Sequence, residues 1–174
     1  LTFLAARAIP GVECVDSGRY CRTVVLGANA GTLSVAHNES NLALDVHISF
    51  PDPHSLFVII ERVRRTFDLL AEPSEIAECL KSDPLLARRI AALPGLRVPG
   101  CWDGFELSIR AIIGQQVSVK GASTLAGRLV QRFGKPFSTG SSLTHLFPSP
   151  AALADADVAS IGLPKNRAET IRGF

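Results

Sequence analysis

The chain has 174 residues, 47% of them hydrophobic and 20% charged, with a formal net charge of +2. That is enough for one domain or two small ones with a buried core, and the balance is that of an ordinary soluble globular protein. No apolar run approaches the roughly 18 residues a membrane span needs, and the opening LTFLAARAIPG has no signal-peptide layout. Membrane insertion and export are therefore not expected. The chain lacks methionine altogether, which reads as a trimmed chain or a piece of something longer. Cys14, Cys21, Cys79 and Cys101 show no CxxC pairing and no histidine at metal-ligand spacing, so they read as free thiols in a reducing cytoplasm. No metal site and no cofactor is expected.

The first part of the chain alternates. Leu42, Leu44, Val46 and Ile48 fall on one face, while Ala43, Asp45, His47 and Ser49 fall on the other, the period of a half-buried strand. Weaker alternation runs through residues 12–15, 20–26 and 33–37. The separators at 16–18, 27–31 and 38–41 are short and rich in Gly, Asn, Asp and Ser, which favours antiparallel neighbours.

After Pro51-Asp52-Pro53 the period changes. Leu56, Ile60, Val63, Phe67 and Leu70 repeat at four-three spacing, a helix with one apolar stripe that would cover a face of the sheet. Ser74-Glu75 and Asp83-Pro84 each open a shorter helix. The punctuation LPGLRVPG at 93–100 predicts a boundary, giving an antiparallel α+β domain at 1–95 and a partial helical domain at 100–174.

Beyond the boundary the pattern is helical. Asp103 and Glu106 have capping-box spacing. Phe105, Ile109, Ile112 and Ile113 supply one buried face, and Val119, Ala122, Ala126, Leu129, Val130 and Phe133 a second, ended by Gly134 and Pro136. Ser149-Pro150 and Leu163-Pro164 begin two more helices, with Asp155 and Asp157 opening a short one. The last helix, 164–174, is expected to stop before its apolar face has anything to pack against.

The tip between the two long helices, residues 114–118, combines chemistry with economy. Gly114 lets the backbone turn, Gln115 and Gln116 donate and accept hydrogen bonds without charge, and Ser118 caps the second helix. Any helix hairpin needs a polar tip, and spacing alone leaves that reading open beside a functional one. Between Glu106 and Asp155 there is no acidic residue, whereas Arg110, Lys120, Arg128, Arg132 and Lys135 all fall there. Such a surplus suits a phosphate-facing surface and equally a solvated helical face.

The runs LTFLAARAIPGVE, TFDLLAEP, LPGLRVPG and FELSIRAIIGQQVSVKGAS, followed by LFPSPAALADADVASIGLPKNRAETIRGF, resemble the AlkA-type 3-methyladenine DNA glycosylases of the helix-hairpin-helix base-excision superfamily. The likeness covers essentially the whole chain, in order. It implies a small antiparallel sheet followed by a helical domain, and a DNA repair hydrolase that flips an alkylated base from double-stranded DNA and cleaves its N-glycosidic bond. It further implies that Gln115, Gln116, Val117, Ser118 and Lys120 meet DNA, with Gln116, where the best-known relatives have leucine, filling the gap left by the flipped nucleotide. A wedge of this kind offsets the few kcal/mol of lost stacking. Phe3 matches an aromatic of the base pocket, its alternative being a helix residue packed on the core, and Arg7 is a further candidate for that pocket. A monomer acting at the nucleoid in the cytoplasm is expected.

The superfamily's catalytic Asp follows an LPGIG-like hairpin that this sequence does not contain. The expectation is an inert chain from an active glycosylase. Two alternatives stay open: an oxidised-purine glycosylase with a lysine nucleophile, and a non-enzymatic module using residues 103–134 as a helix-turn-helix.

Overall fold

The computed structural model describes residues 1–174. Helix α1 (Thr2–Arg7) leads into four strands, β1 (Glu13–Asp16), β2 (Arg19–Leu26), β3 (Asn29–Asn38) and β4 (Ala43–Ser49). They pair consecutively and antiparallel, in the order β1-β2-β3-β4. The turns explain this meander. Ser17 and Gly18, at φ 49° and 73°, make the two-residue link from β1 to β2, the left-handed pair whose twist matches a hairpin. The fold is α+β, as the sequence predicts.

The strand with the clearest alternation is the least buried. Leu44, Val46 and Ile48 share a face with Leu33 and Val35 through the pairs Leu33↔Ile48 and Val35↔Val46. Yet Leu33 and Val35 are 2% and 1% exposed, whereas Val46 is 38% exposed. β4 is a sheet edge, with a neighbour on one side only. Leu42, expected to point inward, is 87% exposed at φ 49°, because it belongs to the turn before β4.

The molecule divides into two compact units, one of residues 1–53 and 105–174, the other of residues 54–104. The second unit contains α2 (Leu56–Thr66), α3 (Pro73–Leu80) and α4 (Pro84–Ala92). The apolar stripe predicted for α2 is out of phase: Ile59, Val63 and Thr66 are buried, whereas Leu56 and Ile60 are exposed. Five successive apolar residues, Leu56-Phe57-Val58-Ile59-Ile60, leave the phase undecided by sequence, and the helix ends before Phe67 and Leu70. Asp83 caps α4 by accepting from the Leu85 and Leu86 amides at 2.8 and 3.1 Å.

In the first unit, α5 (Gly104–Ile113) and α6 (Val119–Phe133) are followed by α7 (Pro150–Ala154), a 3-10 turn (Val158–Ile161) and α8 (Lys165–Arg172). Gly134 ends α6, and a β-carbon there would stand 2.5 Å from the Val130 carbonyl oxygen and 2.6 Å from that of Leu146, so only glycine fits. Asp155 and Asp157 do not cap a helix through their side chains: Asp155 follows α7, and Asp157 precedes the 3-10 turn without a capping bond.

One core joins Ile9 and Val12, Ile109 and Ile113 of α5, and Ala126, Leu129 and Val130 of α6 to Leu153, Ile161 and the later helices. Ala168 and Ile171 of α8 are 5% and 2% exposed within it, and the Phe174 ring lies 6.1 Å from that of Phe105. The expectation that α8 lacks a packing partner is therefore wrong. Its partners are short segments immediately before it in sequence, whose apolar residues are too few to show a period.

Candidate nucleic-acid interface

Five residues, 114–118, separate α5 from α6. The Gly114 amide donates to the Arg110 carbonyl at 2.9 Å, and a β-carbon at Gly114 would meet that oxygen at 3.1 Å. Glycine here permits a close approach and does not supply the turn. The left-handed residue is Gln116, at φ 56°, a conformation uncommon for a residue with a β-carbon. Ser118, in extended conformation, accepts from the Gly121 amide at 3.1 Å and caps α6. Gln115, Gln116, Val117, Ser118 and Lys120 are all exposed, which makes the tip a projecting neutral surface with one lysine just behind it.

A cleft of about 270 Å³ lies beside the tip, lined among others by Arg7, Leu107, Arg110, Gly114, Val117 and Ser123. Arg7 ends α1, and its guanidinium stacks over the Phe3 ring at 3.8 Å while Nη1 donates to the Phe3 carbonyl at 3.3 Å. Phe3 is 46% exposed and α1 has no buried residue, so Phe3 is not packed in the core. The structure therefore brings Arg7 and Val117 to one cleft, with Phe3 against Arg7. Gly114 lines the same cleft, whereas Gln115, Gln116, Ser118 and Lys120 do not.

Arg110, counted above among residues for a phosphate-facing surface, is committed elsewhere. Its Nη1 pairs with Glu13 at 3.0 Å and Glu106 at 3.2 Å, and its Nη2 donates to the Arg7 carbonyl at 2.7 Å. Arg22 meets Glu106 at 2.7 Å and Glu13 at 3.5 Å, with its side chain 3% exposed. The Tyr20 hydroxyl and the Ile9 amide donate to Glu13 at 2.6 and 3.0 Å. Two carboxylates and two guanidiniums thus neutralise each other between β1, β2 and α5, and Arg110 ties α1 to the same cluster. Arg128 is partly engaged too, donating to the Ile161 carbonyl at 3.3 Å. Of the basic surplus, Lys120, Arg128, Arg132 and Lys135 are exposed, and Arg110 alone is not.

Burial alone would raise the Glu13 pKa, but the guanidiniums of Arg22 and Arg110, with the Tyr20 and Ile9 hydrogen bonds, hold it below the usual carboxylate range. Burial, and then the negative charge of Glu13, push the Tyr20 hydroxyl well above its ordinary range. Arg22 and Arg110 are both shifted upward by the glutamates despite burial, so Glu13 and its two guanidinium partners stay charged at neutral pH. Sequence reasoning missed this cluster. Its signal was present, since Arg22 sits in phase with Tyr20 and Val24 on the inward face of β2, and a charge at such a position needs a partner.

Residues 1–103 match a family profile described as the AlkA N-terminal domain. Over 176 residues the chain is 41% identical to a protein of Mycobacterium tuberculosis named "probable bifunctional transcriptional activator/DNA repair enzyme AlkA", covering 98% of this chain and 34% of that protein. It is 34% identical to DNA-3-methyladenine glycosylase 2 of Escherichia coli, covering 98% of this chain and 59% of that one. The solved 3-methyladenine DNA glycosylase of Archaeoglobus fulgidus superposes with a TM-score of 0.83 at 25% identity, over 99% of this chain and 60% of that one. An 8-oxoguanine glycosylase/lyase of Clostridium acetobutylicum, solved with double-stranded DNA, shares the fold at TM-score 0.68 and 19% identity. The chain spans between about a third and three fifths of the length of these relatives.

Proposed function

Starting from a chain that belongs to the AlkA family through its first 103 residues, we propose that it is the DNA-reading part of a repair glycosylase acting on alkylated bases. The observation that carries the proposal is the exposed tip standing beside a cleft whose lining includes Arg7. In this reading the tip enters the minor groove. Gln116, held at φ 56°, fills the space of a flipped nucleotide by hydrogen bonding more than by apolar contact. Gln115, Val117 and Ser118 flank it, and the first amides of α6 together with Lys120 face phosphate. Phe3 and Arg7 border the pocket that receives the flipped base. The protein acts as a monomer on nucleoid DNA.

Cleavage of an N-glycosidic bond builds positive charge on the sugar and calls for a nearby carboxylate. Glu13 and Glu106, the two carboxylates bonded to Arg110 of the cleft, are both held in buried ion pairs, and neither is available for that role. We assign this chain recognition and leave the chemistry to the whole protein. A family profile ending at residue 103 supports a division of that protein near residues 95–100.

The test pairs base release with binding. The complete protein should release 3-methyladenine from methylated duplex DNA, and these 174 residues alone should not. The chain should nevertheless bind duplex DNA with an affinity that falls with salt, and Lys120→Ala should flatten that slope by about one phosphate contact. Release by the short chain defeats the assignment of chemistry. A flat salt response defeats the assignment of DNA contact.

A further inference from the structure

We propose that Cys14 and Cys21 form a redox-active pair that closes reversibly to an intramolecular disulfide by exchange with a small-molecule disulfide. The two residues are direct partners across the β1–β2 hairpin, in the register Cys14↔Cys21, so both side chains leave the same face of the sheet. Both thiols are free and half-buried, hence in contact with each other's strand yet within reach of solvent. Burial, and then the neighbouring Cys14, push the Cys21 pKa up.

The register fixes how close they come. The Thr23 amide donates to the Val12 carbonyl at 2.9 Å, which marks Val12 and Thr23 as a hydrogen-bonded pair. Pairs alternate along an antiparallel ladder, so Cys14↔Cys21, two residues on, is hydrogen-bonded as well. At such a pair the Cα atoms stand about 5.5 Å apart, inside the roughly 4.4–6.8 Å that a disulfide spans. The Cβ atoms, at about 5.5 Å, exceed the roughly 3.5–4.5 Å of a relaxed bridge. Closure therefore requires β1 to move by about an ångström. β1 is a four-residue edge strand with β2 as its only neighbour in the sheet, which permits that movement. The residual strain makes the bond easy to reduce, as an exchangeable bridge must be.

The exchange balances. One cysteine thiolate attacks a sulfur of the small disulfide, whose S–S bond breaks and releases one thiolate. The second cysteine thiolate attacks the protein sulfur of the mixed disulfide and releases the other. Two electrons pass from the cysteines to the small disulfide, and the two protons lost by the cysteines end on the two released thiols.

The proposal does not depend on the glycosylase reading. Its test uses the whole chain carrying Cys79→Ser and Cys101→Ser, treated with oxidised glutathione, blocked with N-ethylmaleimide and digested with trypsin without reductant. Cleavage after Arg7, Arg19 and Arg22 should yield peptides 8–19 and 20–22 as one species, two hydrogens lighter than their sum, from a monomeric chain. Excess reduced glutathione should then restore both thiols. Two blocked thiols, two separate glutathione adducts or a disulfide-linked dimer would each overturn the pairing, and a bridge that resists reduced glutathione would overturn its reversibility. Adding Cys21→Ser should halt the reaction at a single glutathione on Cys14. An unmodified Cys14 in that variant means the site is out of reach, and the proposal fails.

Discussion

Helices α5 and α6 and helices α3 and α4 are both amphipathic pairs joined by a few polar residues, and their fates differ. Glu106, Ile109 and Ile113 of α5 and Ala126, Leu129 and Val130 of α6 are buried. No residue of α3 or α4 is, and Leu85 of α4 is 69% exposed. The second helix of each pair is capped, with Asp83 before α4 and Ser118 before α6 accepting two and one amide hydrogen bonds. An apolar stripe and a cap are local properties. Burial depends on partners brought from elsewhere in the chain, here Ile9 and Val12 and the short C-terminal helices.

The largest effect that breaks this comparison is electrostatic. Arg22→Ala should cost about 3–5 kcal/mol in chemical denaturation, because it leaves Glu13 and Glu106 buried with half their compensation. The pH profile gives a second reading of the same cluster. The folded pKa of Glu13 lies below its ordinary 4.5, so its contribution is fully present above that value and is lost as pH falls through the lower folded pKa. In Arg22→Ala that loss should begin at higher pH, which acid titration of the unfolding midpoint would show. An unchanged acid limb would mean that Arg22 does not hold the Glu13 charge.

Packing should come next. Leu129→Ala, at a fully buried site of α6, should destabilise by about 2–5 kcal/mol. Leu85→Ala on α4 should stay within about 0.5 kcal/mol. A comparable loss at both positions would erase the contrast between the two helix pairs. The caps should give the smallest and most nearly equal effects: Ser118→Ala and Asp83→Ala should each cost about 1 kcal/mol. A much larger value at Ser118 would show that the cap also sets the conformation of the tip, where Gln116 occupies its left-handed geometry.

Much of this was legible in advance because it is local. The period-two run before Ser49, the glycine- and asparagine-rich separators, Asp83-Pro84, and the stop at Gly134 and Pro136 each act within a few residues of where they stand, and strands, turns and helix ends followed them closely. The polar tip and its Ser118 cap were visible for the same reason.

Tertiary structure decided what depends on distant residues. The buried face of α2 kept Val63 but moved from Leu56 and Ile60 to Ile59 and Thr66, since five adjacent apolar residues offer several stripes and packing selects one. Arg110 changed from one of the basic residues of a phosphate-facing or solvated face to a half-buried tie between α1 and α5, because two glutamates, one of them 97 residues away in sequence, converge on it. α8 gained a core through Ala168 and Ile171. Sequence determined which segments fold and which faces are apolar, since backbone sterics and side-chain period operate over a few residues. Only the assembled chain could set which charges are cancelled and which apolar faces are covered, because desolvation and Coulomb attraction depend on distance in space, and the sequence does not specify it.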